Sequence, residues 1–99
     1  MIEDLVRIIR ERKKSTIEKS YTKLLISSGI DKCIDKLQEE FEELKEALKK
    51  DKSNVAHEAA DVIYHLIVSL ETAGIKFEDV VLELEKRKKQ SGIKEKNNR

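Results

Sequence analysis

Ninety-nine residues, 41% charged and 38% hydrophobic with 4% aromatic, three glycines and no proline, allow one small domain; length excludes Rossmann and barrel folds, and missing strand alternation excludes a β-sandwich. The net charge of +1, from 21 basic and 20 acidic residues, argues against a general polyanion binder, and the single Cys33 excludes an internal disulfide. The N-terminus has no apolar run of signal-peptide length and no window approaches the ~18 apolar residues of a membrane helix, so a cytoplasmic protein without a membrane partner is expected.

Ile2, Leu5, Val6, Ile8 and Ile9 predict a first amphipathic helix running to about Lys14, and Ser15-Thr16 interrupts it. Tyr21, Leu24, Leu25 and Ile26 predict a short second helix that Gly29 stops. Asp31 offers a cap for a third, in which Ile34, Leu37, Phe41, Leu44 and Leu48 alternate by three and four, as a seam packed on another helix does. Asp51 to Asn54 is long enough only for an antiparallel return. Ser53 or Asn54 would cap a fourth helix carrying Val55, Ala59, Val62, Ile63, Leu66, Ile67 and Leu70, with Gly74 at its end. A fifth begins near Phe77, with Glu78 and Asp79 in the first turn where acids suit the helix dipole, and runs into a basic end. Ser91-Gly92 breaks it, leaving a domain over residues 1–90 and a polar, basic tail over 91–99. The expected fold is all-α, an antiparallel bundle of four to five helices. Its aliphatic core is small for so charged a chain, so completion as a homodimer is expected.

Two acid doublets stand out, Glu40-x-x-Glu43 on the third helix and Glu58-x-x-Asp61 on the fourth. With Glu40 at zero on a helical wheel, the apolar stripe falls at about 40° to about 120° and Glu43 at about 300°. With Glu58 at zero, the stripe falls at about 40° to about 140° and Asp61 again at about 300°. Antiparallel packing through the stripes would bring the doublets together, and such carboxylates could not all stay ionised without a cation. With no His or Cys at ligand spacing, an oxygen-only set suits Mg²⁺, or Mn²⁺, rather than zinc. In a chain this charged, a single E-x-x-E is ordinarily a solvated face; two in matched register carry more weight. Glu39 falls further from the stripe, at about 260°, behind the ligands or on a lid, and Glu42 and Glu46 fall on the surface.

Lys36 is either a phosphate contact or an i,i+4 partner of Glu40. His65, one turn after Asp61, either supports the acids or substrate, or is structural. Ser20, Tyr21 and Thr22 gather three hydroxyls before a helix, to meet an anion or to form a plain N-cap with Tyr21 packed inward. Arg87 either reaches a polyanionic ligand or complements a helix C-terminus.

Ser20-Tyr21-Thr22-x-x-Leu25, Gly29-Ile30-x-Lys32, Lys36-x-x-Glu39-Glu40-x-x-Glu43 and Glu58-Ala59-Ala60-Asp61-x-x-Tyr64-His65-Leu66 together resemble the phosphoribosyl-ATP pyrophosphohydrolases of histidine biosynthesis. The resemblance continues through Glu78-Asp79-Val80, Leu84-Glu85-x-Arg87 and Ser91-Gly92-Ile93-x-x-Lys96. The paired acids alone would indicate only the broader all-α nucleotide pyrophosphohydrolase superfamily. The resemblance implies hydrolysis of phosphoribosyl-ATP to phosphoribosyl-AMP and pyrophosphate, the second step of histidine biosynthesis, with Mg²⁺ on Glu40, Glu43, Glu58 and Asp61. It also implies a helical dimer and, at this length, the form not fused to the following cyclohydrolase. Glu39 and Glu40 are both candidates for the catalytic base; Ser20, Tyr21, Thr22, Lys36, His65 and Arg87 are candidates for substrate binding. Ile17-Glu18-Lys19 stands where the family commonly carries proline or glycine, and Phe41-Glu42 where small or apolar residues are usual. The rival readings are a housekeeping nucleoside triphosphate pyrophosphatase and a non-catalytic helical interaction module. Nucleic acid is not an expected partner, because acids neighbour the basic end and no aromatic stacking platform accompanies it.

Overall fold

The fold comes from a computed structural model that describes residues 1–16 and 20–89; the Ile17-Glu18-Lys19 segment, the Ser91-Gly92 break and the basic tail lie outside the described residues. Five α-helices occur among the described residues: α1 (Ile2–Arg12), α2 (Tyr21–Ser27), α3 (Ile30–Lys50), α4 (Val55–Thr72) and α5 (Phe77–Lys88), with a 3₁₀ turn at Lys52–Asn54. The architecture is all-α, and none of these helices is long and apolar enough to cross a membrane.

Local chemistry sets the helix ends. Ser20 caps α2, its Oγ accepting from the Lys23 N–H at 3.1 Å. Gly29, at φ 92°, follows α2 and is also the N-cap of α3, a backbone conformation that side chains rarely tolerate. Asp31 is therefore not the cap expected of it: α3 has already begun, and Asp31 acts from the first turn on the helix dipole. Asn54 does hold the N-cap position of α4, but its side chain donates to Glu58 Oε1 at 3.1 Å instead of accepting from the backbone.

α3 and α4 form an antiparallel hairpin. Cys33, near the start of α3, meets the far end of α4, with Sγ 3.4 Å from Thr72 Oγ1 and its carbonyl accepting from Ser69 Oγ at 3.5 Å. α1 and α2 complete the core from one side, where Val6, Ile9, Leu25, Cys33, Ile67 and Val68 are buried and Ile2, Leu5, Ile26, Tyr64 and Phe77 pack on them.

The seam expected from the apolar stripes needs correction. Ile34, Phe41 and Leu48 on α3 and Ile63 and Leu66 on α4 are all exposed, Phe41 by 57%. The buried residues of α3 are Cys33 and Ala47, which lie within about 20° of Glu40 on the wheel. Small residues on that line allow close approach of α4, so the inward face of the helix passes through Glu40 and the stripe is left to one side. Tyr21, offered as an inward-packed residue, is also exposed.

Arg10 ties three helices together. Its Nε donates to Glu71 Oε2 of α4 at 3.2 Å, and Nη1 and Nη2 donate to Glu78 of α5 at 3.0 and 2.5 Å. Beside this guanidinium and the first-turn backbone, the Glu78 carboxyl is held down to about 2, from an ordinary 4.5. A carboxylate whose folded pKa is depressed adds stability above its ordinary pKa and loses it as pH falls toward the folded value. Arg10→Ala is thus expected to lower Tm by a few degrees at pH 7. The deficit should shrink between about pH 4.5 and 2 in thermal melts; a deficit independent of pH would exclude the Arg10–Glu78 pair as its source.

Candidate functional site

Spacing of three residues on each helix puts Glu40 with Glu43 on one side of α3 and Glu58 with Asp61 on one side of α4. The hairpin then joins the two doublets: one oxygen from each of Glu40, Glu43, Glu58 and Asp61 can be chosen so that all lie within 4.8 Å of one another. Glu58 is 8% exposed, Glu40 and Asp61 are half-buried and Glu43 is exposed. The cluster therefore has a buried floor and an open rim.

Its electrostatics are unsatisfied. Glu40 Oε2 and Glu58 Oε2 are buried without a hydrogen-bond partner, as is His65 Nε2. Burial raises the Glu40 carboxyl above its ordinary range, and the neighbouring charge of Glu43 raises it further. Glu58 is raised as well, by burial first and then by the neighbouring Glu43 carboxyl. Acceptors that cannot all find donors, in a pocket that disfavours their charge, are a fit for a divalent cation.

The remaining residues fall at different places. His65 Nδ1 lies 2.9 Å from the Asp61 carbonyl oxygen. A carbonyl only accepts, so Nδ1 carries a proton, and Nε2 is left buried without a partner. Lys36 pairs with Glu39 at 3.2 Å rather than with Glu40, whose pull on it is weaker, and both partners are exposed at the rim. Glu39 is not part of the four-carboxylate group. The Ser20 hydroxyl is occupied in capping its own helix, and the Thr22 hydroxyl is hydrogen-bonded to Tyr64 at 2.5 Å, which holds α2 against α4; both residues are buried. Tyr21 stays exposed. Arg87 is exposed in the last turn of α5, about 15 Å along that helix from its anchors Phe77 and Glu78.

One participant escapes the sequence reading, which finds no histidine at ligand spacing. His57 lies four residues before Asp61, and its Nε2 is 3.4 Å from Asp61 Oδ2. The signal was present as His57-x-x-x-Asp61, the i,i+4 spacing that places two side chains on one helix face. A cleft of about 410 Å³ opens beside the cluster, lined in part by Glu43, Ala47, Lys50, Asp51, Asn54 and Glu58.

Known proteins share this chain's pattern along almost its entire length. A family model described as phosphoribosyl-ATP pyrophosphohydrolase matches residues 2–88. The phosphoribosyl-ATP pyrophosphatase of Rhizobium etli is 48% identical over 97 residues, spanning 97% of this chain and 91% of that protein. Its counterpart in Methylobacterium nodulans is 47% identical over 94 residues (94% and 88%), and that of Roseobacter denitrificans is 41% identical over 99 residues (99% and 94%).

Proposed function

The chain belongs to the phosphoribosyl-ATP pyrophosphohydrolase family, and on that premise we propose that it hydrolyses phosphoribosyl-ATP to phosphoribosyl-AMP and pyrophosphate in histidine biosynthesis, with Mg²⁺ held by Glu40, Glu43, Glu58 and Asp61. Mn²⁺ suits the same oxygen set. The observation that carries the metal assignment is the pair of buried, unpartnered oxygens on Glu40 and Glu58 inside a four-carboxylate group. Bound there, the ion supplies neutralisation of phosphate oxygens and activation of water at neutral pH.

The chain's own groups divide the remaining work. Asn54 orients Glu58 by donating to one oxygen, which aims the other into the cluster. His65, fixed by its Nδ1 bond to the Asp61 carbonyl, holds its unpartnered Nε2 on the buried side of the site. Glu40 is taken up by the ion in this assignment, so Glu39, outside the four-carboxylate group, is the candidate to take a proton, and its pair with Lys36 at the rim can open as phosphate arrives. Lys36, Tyr21 and Arg87 are assigned to substrate contact, and Ser20 and Thr22 to holding α2 in place for it. Residues 1–90 form the catalytic unit, in a cytoplasmic enzyme.

The exposed stripes support a homodimer. On an antiparallel hairpin whose helices face each other along Glu40 and Glu58, the arcs at about 100° on both wheels turn to the same side, and Glu43 and Asp61 turn to the other. Ile34, Phe41, Leu48, Ile63 and Leu66 therefore form one apolar face away from the acid opening, a surface that a second copy would cover. Phe41→Asp is expected to convert a dimer to a monomer in size-exclusion chromatography with light scattering. A wild-type monomer would reject the assignment.

The direct test of function is pyrophosphate release from phosphoribosyl-ATP, with and without Mg²⁺. Mg²⁺-dependent release is expected; preference for deoxynucleoside triphosphates would favour a housekeeping pyrophosphatase instead, and no release with either substrate would leave a non-catalytic module.

A further inference from the structure

We propose that His57, Glu58 and Asp61 form a second ion position on the outer side of the carboxylate cluster, selective for a divalent transition-metal ion such as Zn²⁺. One ligand atom from each of these three side chains can be chosen so that all lie within 4.8 Å of one another, and the contact of His57 Nε2 with Asp61 Oδ2 is 3.4 Å. Glu58 and Asp61 belong to both groups, so the two positions share these carboxylates. The inference rests on the acid cluster being a metal centre, and it adds a second ion with a different chemical preference.

The donor set carries the selectivity. Carboxylate oxygens suit Mg²⁺ and Mn²⁺, whereas an imidazole nitrogen beside two carboxylates suits zinc and its neighbours. The sequence His57-Glu58-Ala59-Ala60-Asp61 has the i,i+4 spacing with which His-Glu-x-x-His motifs place two zinc ligands on one helical face, with Asp61 in the second position. Glu58 is 8% exposed and Asn54 fixes its Oε1 at 3.1 Å, so the carboxylate that the two positions share is already desolvated and held in place. His57 itself is exposed, with a side chain 69% accessible, so the position is reached directly from solvent and water completes the coordination.

Charge balance allows both ions. Glu40, Glu43, Glu58 and Asp61 carry four negative charges when ionised, one divalent ion leaves two of them uncompensated, and a second removes that remainder. The alternative role for His57 is a loose i,i+4 contact with Asp61 on a solvated helix face. The 3.4 Å separation is longer than the roughly 2.7–2.9 Å of a strong charge-assisted hydrogen bond, so Nε2 is not committed to that pair.

The test titrates Zn²⁺ into the full chain against a chromophoric chelator, for the wild type, His57→Gln and Glu43→Gln, and records the Mg²⁺-induced thermal shift of each protein separately. His57→Gln is expected to weaken Zn²⁺ binding at least tenfold and to keep the Mg²⁺ shift. Glu43→Gln, altered only in the inner group, is expected to lose the Mg²⁺ shift while its Zn²⁺ binding still depends on His57, so that adding His57→Gln to it weakens Zn²⁺ at least tenfold further. Imidazole NMR signals provide a second readout, since Zn²⁺ should move those of His57. Equal Zn²⁺ affinity in wild type and His57→Gln, or Zn²⁺ shifting the His65 ring and not that of His57, overturns the proposal. A wild type that binds Zn²⁺ through His57 but shows no Mg²⁺ shift would support the outer position and reject the inner Mg²⁺ assignment.

Discussion

Glu43→Gln and Asp61→Asn are each expected to lower Mg²⁺-dependent pyrophosphate release by about 100-fold or more with helix content unchanged, since loss of an outer partner of a metal ligand already costs about 10–100-fold. Glu43 is exposed and Asp61 half-buried, and each amide is isosteric with the carboxylate that it replaces, so the variants fit the same space. Normal turnover in either variant, measured by pyrophosphate release with circular dichroism as the folding control, would remove that residue from the ligand set.

Stability should move the opposite way at the buried floor. Glu40 and Glu58 have carboxyl groups raised above their ordinary 4.5, because burial and Glu43 oppose their ionisation. Between the ordinary and the raised values, the folded chain holds protons that the unfolded chain has released. These two groups therefore favour folding on the acid side of that window and oppose it as pH rises through it. Metal-free protein is expected to gain Tm as pH falls through the raised values of Glu40 and Glu58 toward 4.5, before the loss of the Arg10–Glu78 contribution sets in below 4.5. Glu58→Gln should raise the metal-free Tm at pH 7 and remove the stabilisation by Mg²⁺. A variant less stable than wild type without metal would show that Glu58 is not strained by its neighbours.

The second large effect lies in the core. Ile67→Ala is expected to cost about 2–5 kcal/mol, the usual range for truncating a buried isoleucine. Ile67 is 1% exposed and packs in the cluster with Val6, Ile9, Leu25, Cys33 and Val68, where three helices besides its own meet. Small domains hold about 5–15 kcal/mol in total, so denaturant unfolding should show a midpoint shift large enough to leave the variant only marginally folded. The loss should not vary with protein concentration, because Ile67 packs inside one protomer. Phe41→Ala provides the contrast: its ring is 57% exposed in the protomer, so its cost should appear only through association and depend on concentration. A concentration-independent loss of similar size at Phe41 would move the stripe back into the protomer core.

The helices were legible because their signals are local. Apolar spacing, Gly29 and Gly74, and the acids at Glu78 and Asp79 each act within a turn or two of chain, and α1 to α5 lie close to where those residues put them. The matched register of Glu40-x-x-Glu43 and Glu58-x-x-Asp61 was equally local, and with a short antiparallel return at Asp51 to Asn54 it was enough to predict that four acids converge. The cap assigned to Asp31 failed for the same reason in reverse: Gly29 needs no side chain to start α3 once its φ of 92° has turned the backbone.

What the sequence determined by itself was the set of amphipathic helices, the pairing of the two acid doublets and the family pattern they carry. Periodicity shows which arc of a helix is apolar; it does not show which arc another helix covers. Only the tertiary structure decided that Cys33 and Ala47, not Phe41 and Leu48, face inward, because small side chains let α3 and α4 approach along the line of Glu40. That closeness buries Glu58, leaves the Glu40 and Glu58 oxygens without donors, and brings His57 to the edge of the same group. The Arg10 contacts with Glu71 and Glu78 belong there too, since their partners lie more than sixty residues away in the chain and meet only after five helices have packed.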